Sequence, residues 1–441
     1  VTRLASWLLN GIYLLLMLAV SPWIVWSAIR YGKYREGFAE KFLGRTAQRT
    51  GDQPCVWLHA VSVGEVNLLA TTLSALRQSQ PDWKLVISTT TKTGYALACR
   101  KYAEHTVFYC PLDFSWAVNQ AMQRLRPDLL VLAELELWPN LIRAAEQQGA
   151  KVAIINGRLS DNSFRGYRRF RPLVARVLRQ IDLIAAQNEE TAERFRQLGA
   201  TGVTVTGSLK FDGATTDRNN PRTEQLRALA GIEEDDIVLL AGSTQAPEEQ
   251  YAIEIYQALS SQYPQLKLIL VPRHPERFEE VAELLQSSGL SWTRRSILEE
   301  NHSALRTPHS ALLVDSIGEL GAWWGLATIG FVGGSFGSRG GQNMLEPAAY
   351  GVTTCFGPNT RNFRDIVAQL LTVRGAEVVS NRDELEQFVC QALNDPTWAK
   401  QLGASARELV IAQQGATQRT VDLLQRLMGA EASKANKRNA A

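Results

Sequence analysis

The chain is short of several things that would point to a particular chemistry. Its five cysteines (Cys55, Cys99, Cys110, Cys355 and Cys390) form no C-x-x-C pair and have no histidine at ligand spacing, which argues against a disulfide framework or a zinc site. They read as buried thiols. The five histidines (His59, His105, His274, His302 and His309) are scattered singly and make no structural metal cluster. A net charge of +3 over 441 residues is too small to argue for a nucleic-acid partner, so electrostatic partners must be sought in local clusters.

The longest absence is of charge. From Ala5 to Ile29 there is no charged side chain, and LLLMLAV sits at the middle of the run. About 20 apolar residues cross a bilayer as a helix, and Trp7, Trp23 and Trp26 suit its interfacial belts, although Asn10 and Pro22 interrupt the pattern. The rival is a cleavable signal peptide, with a shorter apolar core and a small-x-small site after it. Arg30, Lys33, Arg35, Lys41 and Arg45 follow instead, and against the single Arg3 upstream they place the body of the protein on the cytoplasmic side of a single-pass anchor.

Beyond the anchor, short β-rich runs alternate with helical patterns. CVWLHAV, KLVIST, LLVLAE, KVAIIN, LIAAQ and VTVTG occupy the first half; IVLLAGS, KLILVPR, ALLVD, ATIGFVGG, VTTCFG and AEVVS the second. A parallel sheet with crossover helices requires this alternation. The expected fold class is α/β, with two doubly wound Rossmann-like domains facing a cleft, preceded by an N-terminal transmembrane helix. Expected boundaries are an anchor over 1–30, a first domain over 31–212, a linker over 213–235, a second domain with its C-terminal helix over 236–429, and a disordered tail over 430–441. Ligands of such sheets sit beyond the carboxyl ends of strands, so each half would hold one partner, an arrangement that suits a transferase.

The stretch Phe331 to Pro358 carries the densest signal: an apolar run enters FVGGSFGSRGGQNMLEPAAYG, a glycine-studded loop that leads into a helix. Gly333, Gly334, Gly337, Gly340 and Gly341 would let the backbone approach an anion, and Gln342, Asn343 and Met344 would offer N–H groups at a helix start. Glu346 could accept hydrogen bonds from a ribose diol. An ordinary β-to-α turn has the same composition.

Other candidates also lie at carboxyl ends of strands. Glu65, after His59-Ala60-Val61-Ser62, could take a proton from an acceptor hydroxyl, but Ser62-x-x-Glu65 is also the spacing of a capping box, and spacing alone favours the cap. Glu134 and Glu136 end LLVLAE before Pro139 and, two apart on an extended chain, would share a side, suited to holding a polar sugar; solvation explains them nearly as well. Lys210 could meet a carboxylate or phosphate, or merely pair with Asp212. Ser243 and Thr244 fit either a cap or a phosphate contact. Arg273 is suited to phosphate by its fixed, fork-shaped charge, whereas His274 can be a spacer before Pro275. Backbone groups at Ile317 and Gly318 could read a base edge, while Trp323 and Trp324 read as core. Arg158, Arg165, Arg168, Arg169, Arg171, Arg176 and Arg179, interleaved with Phe164, Tyr167 and Phe170, fit an anionic membrane surface or a phosphorylated lipid; a solvated helix face is the ordinary alternative.

Taken in order, HAVSVGE, ELELWPN, AAQNEE, VTGSLKFD, LVPRHPERF, GELG and FVGGS…RGGQNMLEPAAYG resemble the Kdo transferase family of lipopolysaccharide biosynthesis, from the anchor to the last helix. The resemblance implies an inner-membrane GT-B glycosyltransferase that moves 3-deoxy-D-manno-octulosonic acid (Kdo) from CMP-Kdo to the glucosamine disaccharide of a lipid A precursor, with inversion. It implies Glu65 as the proton acceptor, reversing the capping preference. CMP contacts would fall on Arg273, His274, Ile317, Gly318, Glu319, Asn343, Met344, Leu345 and Glu346, with Lys210, Glu134, Glu136 and Ser243 as secondary contacts. No Asp-x-Asp occurs, and a single phosphodiester has less need of a chelated metal, so no cofactor is expected. The chain departs from the family where Gln342 and Gln245 replace two histidines. Other nucleotide-sugar enzymes, such as a UDP-sugar transferase or epimerase, or a non-catalytic lipid-binding protein are the rival readings.

Overall fold

The computed structural model describes residues 3–31, 36–298 and 310–439. The chain forms two compact units, Val1–Gly213 with Gln414–Ala441, and Ala214–Gln413. The first contains β1 (Cys55–His59), β2 (Lys84–Thr89), β3 (Thr106–Tyr109), β4 (Leu129–Ala133), β5 (Lys151–Gly157), β6 (Leu183–Ala186) and β7 (Val203–Val205). They pair in parallel in the order β3-β2-β1-β4-β5-β6-β7. Every residue of β1 and of β4 is buried, as expected of strands covered on both faces. One face packs Val118, Met122, Leu141 and Ile142 of two crossover helices; the other packs Val66, Leu69 and Leu73 of a third.

The second unit contains β8 (Ile237–Thr244), β9 (Leu266–Pro272), β10 (Ser291–Arg294), β11 (Ser310–Leu313), β12 (Ile329–Val332), β13 (Thr353–Phe356) and β14 (Glu377–Val378). Their order is β10-β11-β9-β8-β12-β13-β14, again parallel. Trp323 and Trp324 are buried in this unit, as their pairing suggested.

Three expected boundaries differ. The last helix, Ala416–Asn439, lies in the first unit rather than the second, because Val421 and Leu424 bury in the core beside β1 and Asp212 accepts from the Gly415 and Thr417 amides at its start. It continues helically to Asn439 through the segment read as a disordered tail. Part of the expected linker is also folded: Pro221–Ala230 is a helix of the second unit, capped by Asn220, with Leu226 buried. Cys55, Cys110 and Cys355 are buried free thiols, while Cys99 and Cys390 are only half-buried.

The N-terminal helix spans Arg3–Tyr31, and its Ser6–Tyr31 segment is long and apolar enough to cross a membrane. The polar residues that interrupt its pattern face the first unit. Asn10 Nδ2 donates to Ser115 Oγ at 2.7 Å, its Oδ1 accepts from the Ser115 amide at 3.0 Å, and Tyr13 Oη donates to Asp113 at 3.1 Å. Ser6 Oγ accepts from Arg143. Most of the remaining surface, including Leu8, Leu15, Leu18 and Trp23, is exposed.

Candidate functional site

In each sheet the strand order reverses beside the first strand, where an open α/β sheet leaves a crevice at its carboxyl edge. In the first unit that point lies between β1 and β4, and the chain leaving those strands carries Glu65 and the Glu134–Glu136 pair. Ser62 caps the helix Val63–Ser79. Glu65 Oε2 accepts from the Val61 amide at 2.7 Å and Oε1 from Ser62 Oγ at 2.9 Å, so a variant of the capping box is formed, with the Val61 amide in place of the Ser62 amide. The carboxylate nevertheless stays half-exposed, and with about four acceptor positions it keeps capacity for a further proton donor. Burial raises the Glu65 pKa, the two local hydrogen bonds oppose this, and the charges of Glu134 and Glu136 raise it further.

The segment after β4 is not extended, which removes the same-side argument for its two acids. Glu134 stands at φ 58, in the left-handed region, while its amide donates to Ile155 O. Glu136 accepts from Trp138 Nε1 at 2.8 Å, and burial raises its pKa. Beneath them His59 is fully buried, contacts Ser88 Oγ at 2.9 Å and is pushed down to about 4 by burial, which makes it a neutral core residue. Lys210 is exposed and Asp212 is spent on the last helix's amides, so the pairing of those two is not formed.

In the second unit the reversal lies between β8 and β12, at Ser243–Gln245 and the glycine-rich loop. Here the structure supplies a residue that sequence reasoning missed. Glu248 is 1% exposed, and its carboxylate accepts from the amides of Gly334 (2.7 Å), Ser335 (3.0 Å), Phe336 (3.1 Å) and Gln245 (2.9 Å). The first part of the expected anion loop is therefore occupied by the protein's own carboxylate. Gly333 is required by it: a Cβ there would come within 2.6 Å of Glu248 Oε2 and of Thr244 Cα. Ser243, at φ 56, is buried.

Of the remaining candidates of this unit, Asn343, Glu346 and Arg273 lie near one another, and one carboxylate, that of Glu319, is an exception in being already paired. Asn343 Nδ2 donates to Glu346 Oε1 at 3.0 Å and its Oδ1 accepts from the Leu345 amide at 3.2 Å. Burial raises the Glu346 pKa and the Arg273 charge opposes it, which places that guanidinium close by. Gly321, just beyond the Ile317–Gly318 turn, approaches Glu346 Oε2 to within 4.0 Å of a built Cβ. Arg273, His274, Ile317 and Gly318 are exposed; Met344 and Leu345 are buried, leaving only their backbone to a ligand. The exception is Glu319, whose carboxylate is tied to Arg295 by two bonds of 3.0 Å, to Arg222 and to Ser316, and is held below the ordinary range by those partners against the effect of burial.

The arginine segment forms two short helices, Asp161–Arg169 and Arg171–Leu178. Phe164 and Tyr167 pack against the core, so of the three interleaved aromatics only Phe170 is exposed, beside exposed Leu173 and Arg165, Arg168, Arg169 and Arg171.

The family described as 3-deoxy-D-manno-octulosonic-acid transferase (kdotransferase) matches residues 33–213 of this chain. The 3-deoxy-D-manno-octulosonic acid transferase of Haemophilus influenzae is 34% identical over 402 residues, 90% of this chain and 92% of that protein. Among solved structures, the C-terminal CMP-Kdo binding domain of WaaA from Acinetobacter baumannii is 34% identical, covers 43% of this chain and 96% of its own, and has a TM-score of 0.40. UDP-GlcNAc 2-epimerase from Neisseria meningitidis, bound to UDP-GlcNAc, covers 84% of this chain and 100% of its own at a TM-score of 0.56, and its 14% identity speaks for the fold alone.

Proposed function

The chain belongs to the 3-deoxy-D-manno-octulosonic acid transferase family, and we propose that it transfers Kdo from CMP-Kdo to the glucosamine disaccharide of a lipid A precursor, inverting the anomeric centre with Glu65 as base. The observation that carries this reading is the half-exposed carboxylate of Glu65 at the β1/β4 reversal, held by Val61 and Ser62, with its proton affinity raised by burial and two neighbouring acids. Glu65 takes the proton of the acceptor hydroxyl. The electron pair freed on the acceptor oxygen forms the bond to the anomeric carbon while that carbon's bond to the phosphate oxygen breaks, and CMP departs with the electron pair of the broken bond.

In this reading the capping bonds orient the base rather than exclude it from chemistry. Arg273 meets the charge that grows on the departing phosphate, and the N–H groups of Gln342, Asn343 and Met344 are further donors. Glu346 suits a ribose diol and the Ile317–Gly318 backbone a base edge; Glu319, already paired, shapes that turn. Lys210, Glu134, Glu136 and Ser243 remain secondary contacts. The donor carries a single phosphodiester and releases a phosphomonoester rather than a diphosphate, so no metal is invoked in the step.

The N-terminal helix serves as the membrane anchor at the cytoplasmic face of the inner membrane, with the arginine segment on the anionic surface. Its bonds through Ser6, Asn10 and Tyr13 hold one side of the helix to the first unit, leaving the other side for lipid. The deciding experiment is mass spectrometry of a lipid A precursor incubated with the protein and CMP-Kdo. A mass gain of one or more Kdo units is expected, and no gain on any acceptor would refute the reading.

A further inference from the structure

The N-terminal helix does not lie flush against the first unit. Below its hydrogen-bonded contacts a groove of about 430 Å³ opens, within the size range of small-ligand sites. Tyr13, Leu16 and Met17 of the helix form one wall, and Phe114, Leu137 and Trp138 form the other. The polar groups nearest it are mostly engaged: Asp113 accepts from the Asn140 and Leu141 amides and from Tyr13, and Glu136 accepts from Trp138. What remains is an apolar trough. The helix wall is continuous with the exposed apolar face of the helix, since Leu16 itself is 58% exposed. The groove is also lined by Glu136, whose charge is felt by Glu65.

We propose that this groove holds one acyl chain of the lipid acceptor, so that the anchor helix forms part of the acceptor site as well as attaching the protein to the bilayer. The inference rests on the transferase reading for the identity of the lipid and on the groove's position for its occupant. A chain leaving the bilayer along the exposed face of the helix would enter past Leu16 and end with its sugar at Glu136, beside the candidate base. A peptide occupant would need backbone hydrogen-bond partners, and the lining side chains are mainly apolar.

The test uses the full chain in phosphatidylcholine nanodiscs with an acceptor analogue carrying a diazirine at the end of one acyl chain. Photolysis should label Tyr13, Met17, Leu137 or Trp138; labelling confined to the outward face at Leu8, Leu15 and Leu18 would overturn the proposal. A second measurement compares kcat/KM for the acylated acceptor with that for the fully de-acylated disaccharide. Met17→Trp, which narrows the groove, should cut the preference for the acylated acceptor at least tenfold, and an unchanged ratio would count against the groove. Should Met17→Trp not fold, the labelling map of the wild-type protein decides alone. Labelling in the groove without Kdo transfer to either acceptor would sink the transferase reading and leave the groove standing; transfer with labelling only outside it would do the reverse.

Discussion

Between β1 and β4 the crevice gathers Glu65, Glu134 and Glu136; between β8 and β12 a glycine-rich loop closes its amides around the single carboxylate of Glu248. Two parallel seven-stranded sheets have put the acids at the reversals beside their first strands to opposite use. In the first unit burial, with two like charges adding to it, raises the proton affinity of a half-exposed carboxylate, the condition for a base. In the second, four N–H groups satisfy a fully buried carboxylate and leave it nothing further to do. A glycine-rich loop is thus not by itself an anion site, because its amides can be spent inside the protein; under the proposed function, anion recognition in this unit would fall to Arg273 and the N–H groups after Gly341.

The comparison would break most visibly at the two carboxylates. Glu65→Ala should lower turnover by about 10³-fold, the usual worth of a positioned base, while CMP still protects the protein from thermal unfolding more than UDP does. Retained turnover would return Glu65 to its capping role. Glu248→Ala should act on stability instead: stranding four buried amides costs about 3 kcal/mol or more, read as a lower urea midpoint. Glu248→Gln should recover only part of this, since its amide nitrogen points donors at donors.

The same contrast marks what the sequence disclosed. The alternation of apolar runs located every described strand except two four-residue edge strands: β3 (TVFY), whose short apolar run Val107–Cys110 stops at Pro111, and β10 (SWTR), which has no buried position. The capping box at Ser62 and Glu65 was legible because it is local. Glu248 was not, since its partners at Gly334 to Phe336 lie 86 to 88 residues away and Pro-Glu-Glu reads as an ordinary helix start. The last helix was misassigned for a similar reason: its pattern says that one face is buried, but not which of two cores receives it.

A smaller effect is expected from pH. Because burial and like charges raise Glu65 above its ordinary 4.5, the acid limb of kcat/KM should lie above that value, with activity rising as the carboxylate deprotonates. Glu136→Gln removes one of the charges that raise it and should move the limb downward. Stability follows the opposite sense. A carboxyl with a folded pKa above its unfolded one favours the folded state when protonated, so this contribution is present below pH 4.5 and is lost as pH rises from there through the raised value. An acid limb that stays in place in Glu136→Gln would mean that the two carboxylates do not sense each other.

The smallest effect concerns the two glutamines that stand where the family's histidines are expected. A methyl group placed on Gly334 would lie 3.1 Å from Gln342 Nε2 and 3.7 Å from Gln245 Nε2, so both amides sit over the loop that Glu248 fills. Neither can carry a proton to a phosphate. Gln342→His would place a titratable cation there, on a side chain that is only half-buried, so its gain is that of a screened ion pair. CMP affinity should therefore rise about threefold at pH 6 and change little at pH 8, measured by calorimetry. An equal gain at both values would mean that shape, not charge, is what histidine supplies; no gain at either would show that the glycine loop, already neutralised by its own carboxylate, has no part in holding the nucleotide.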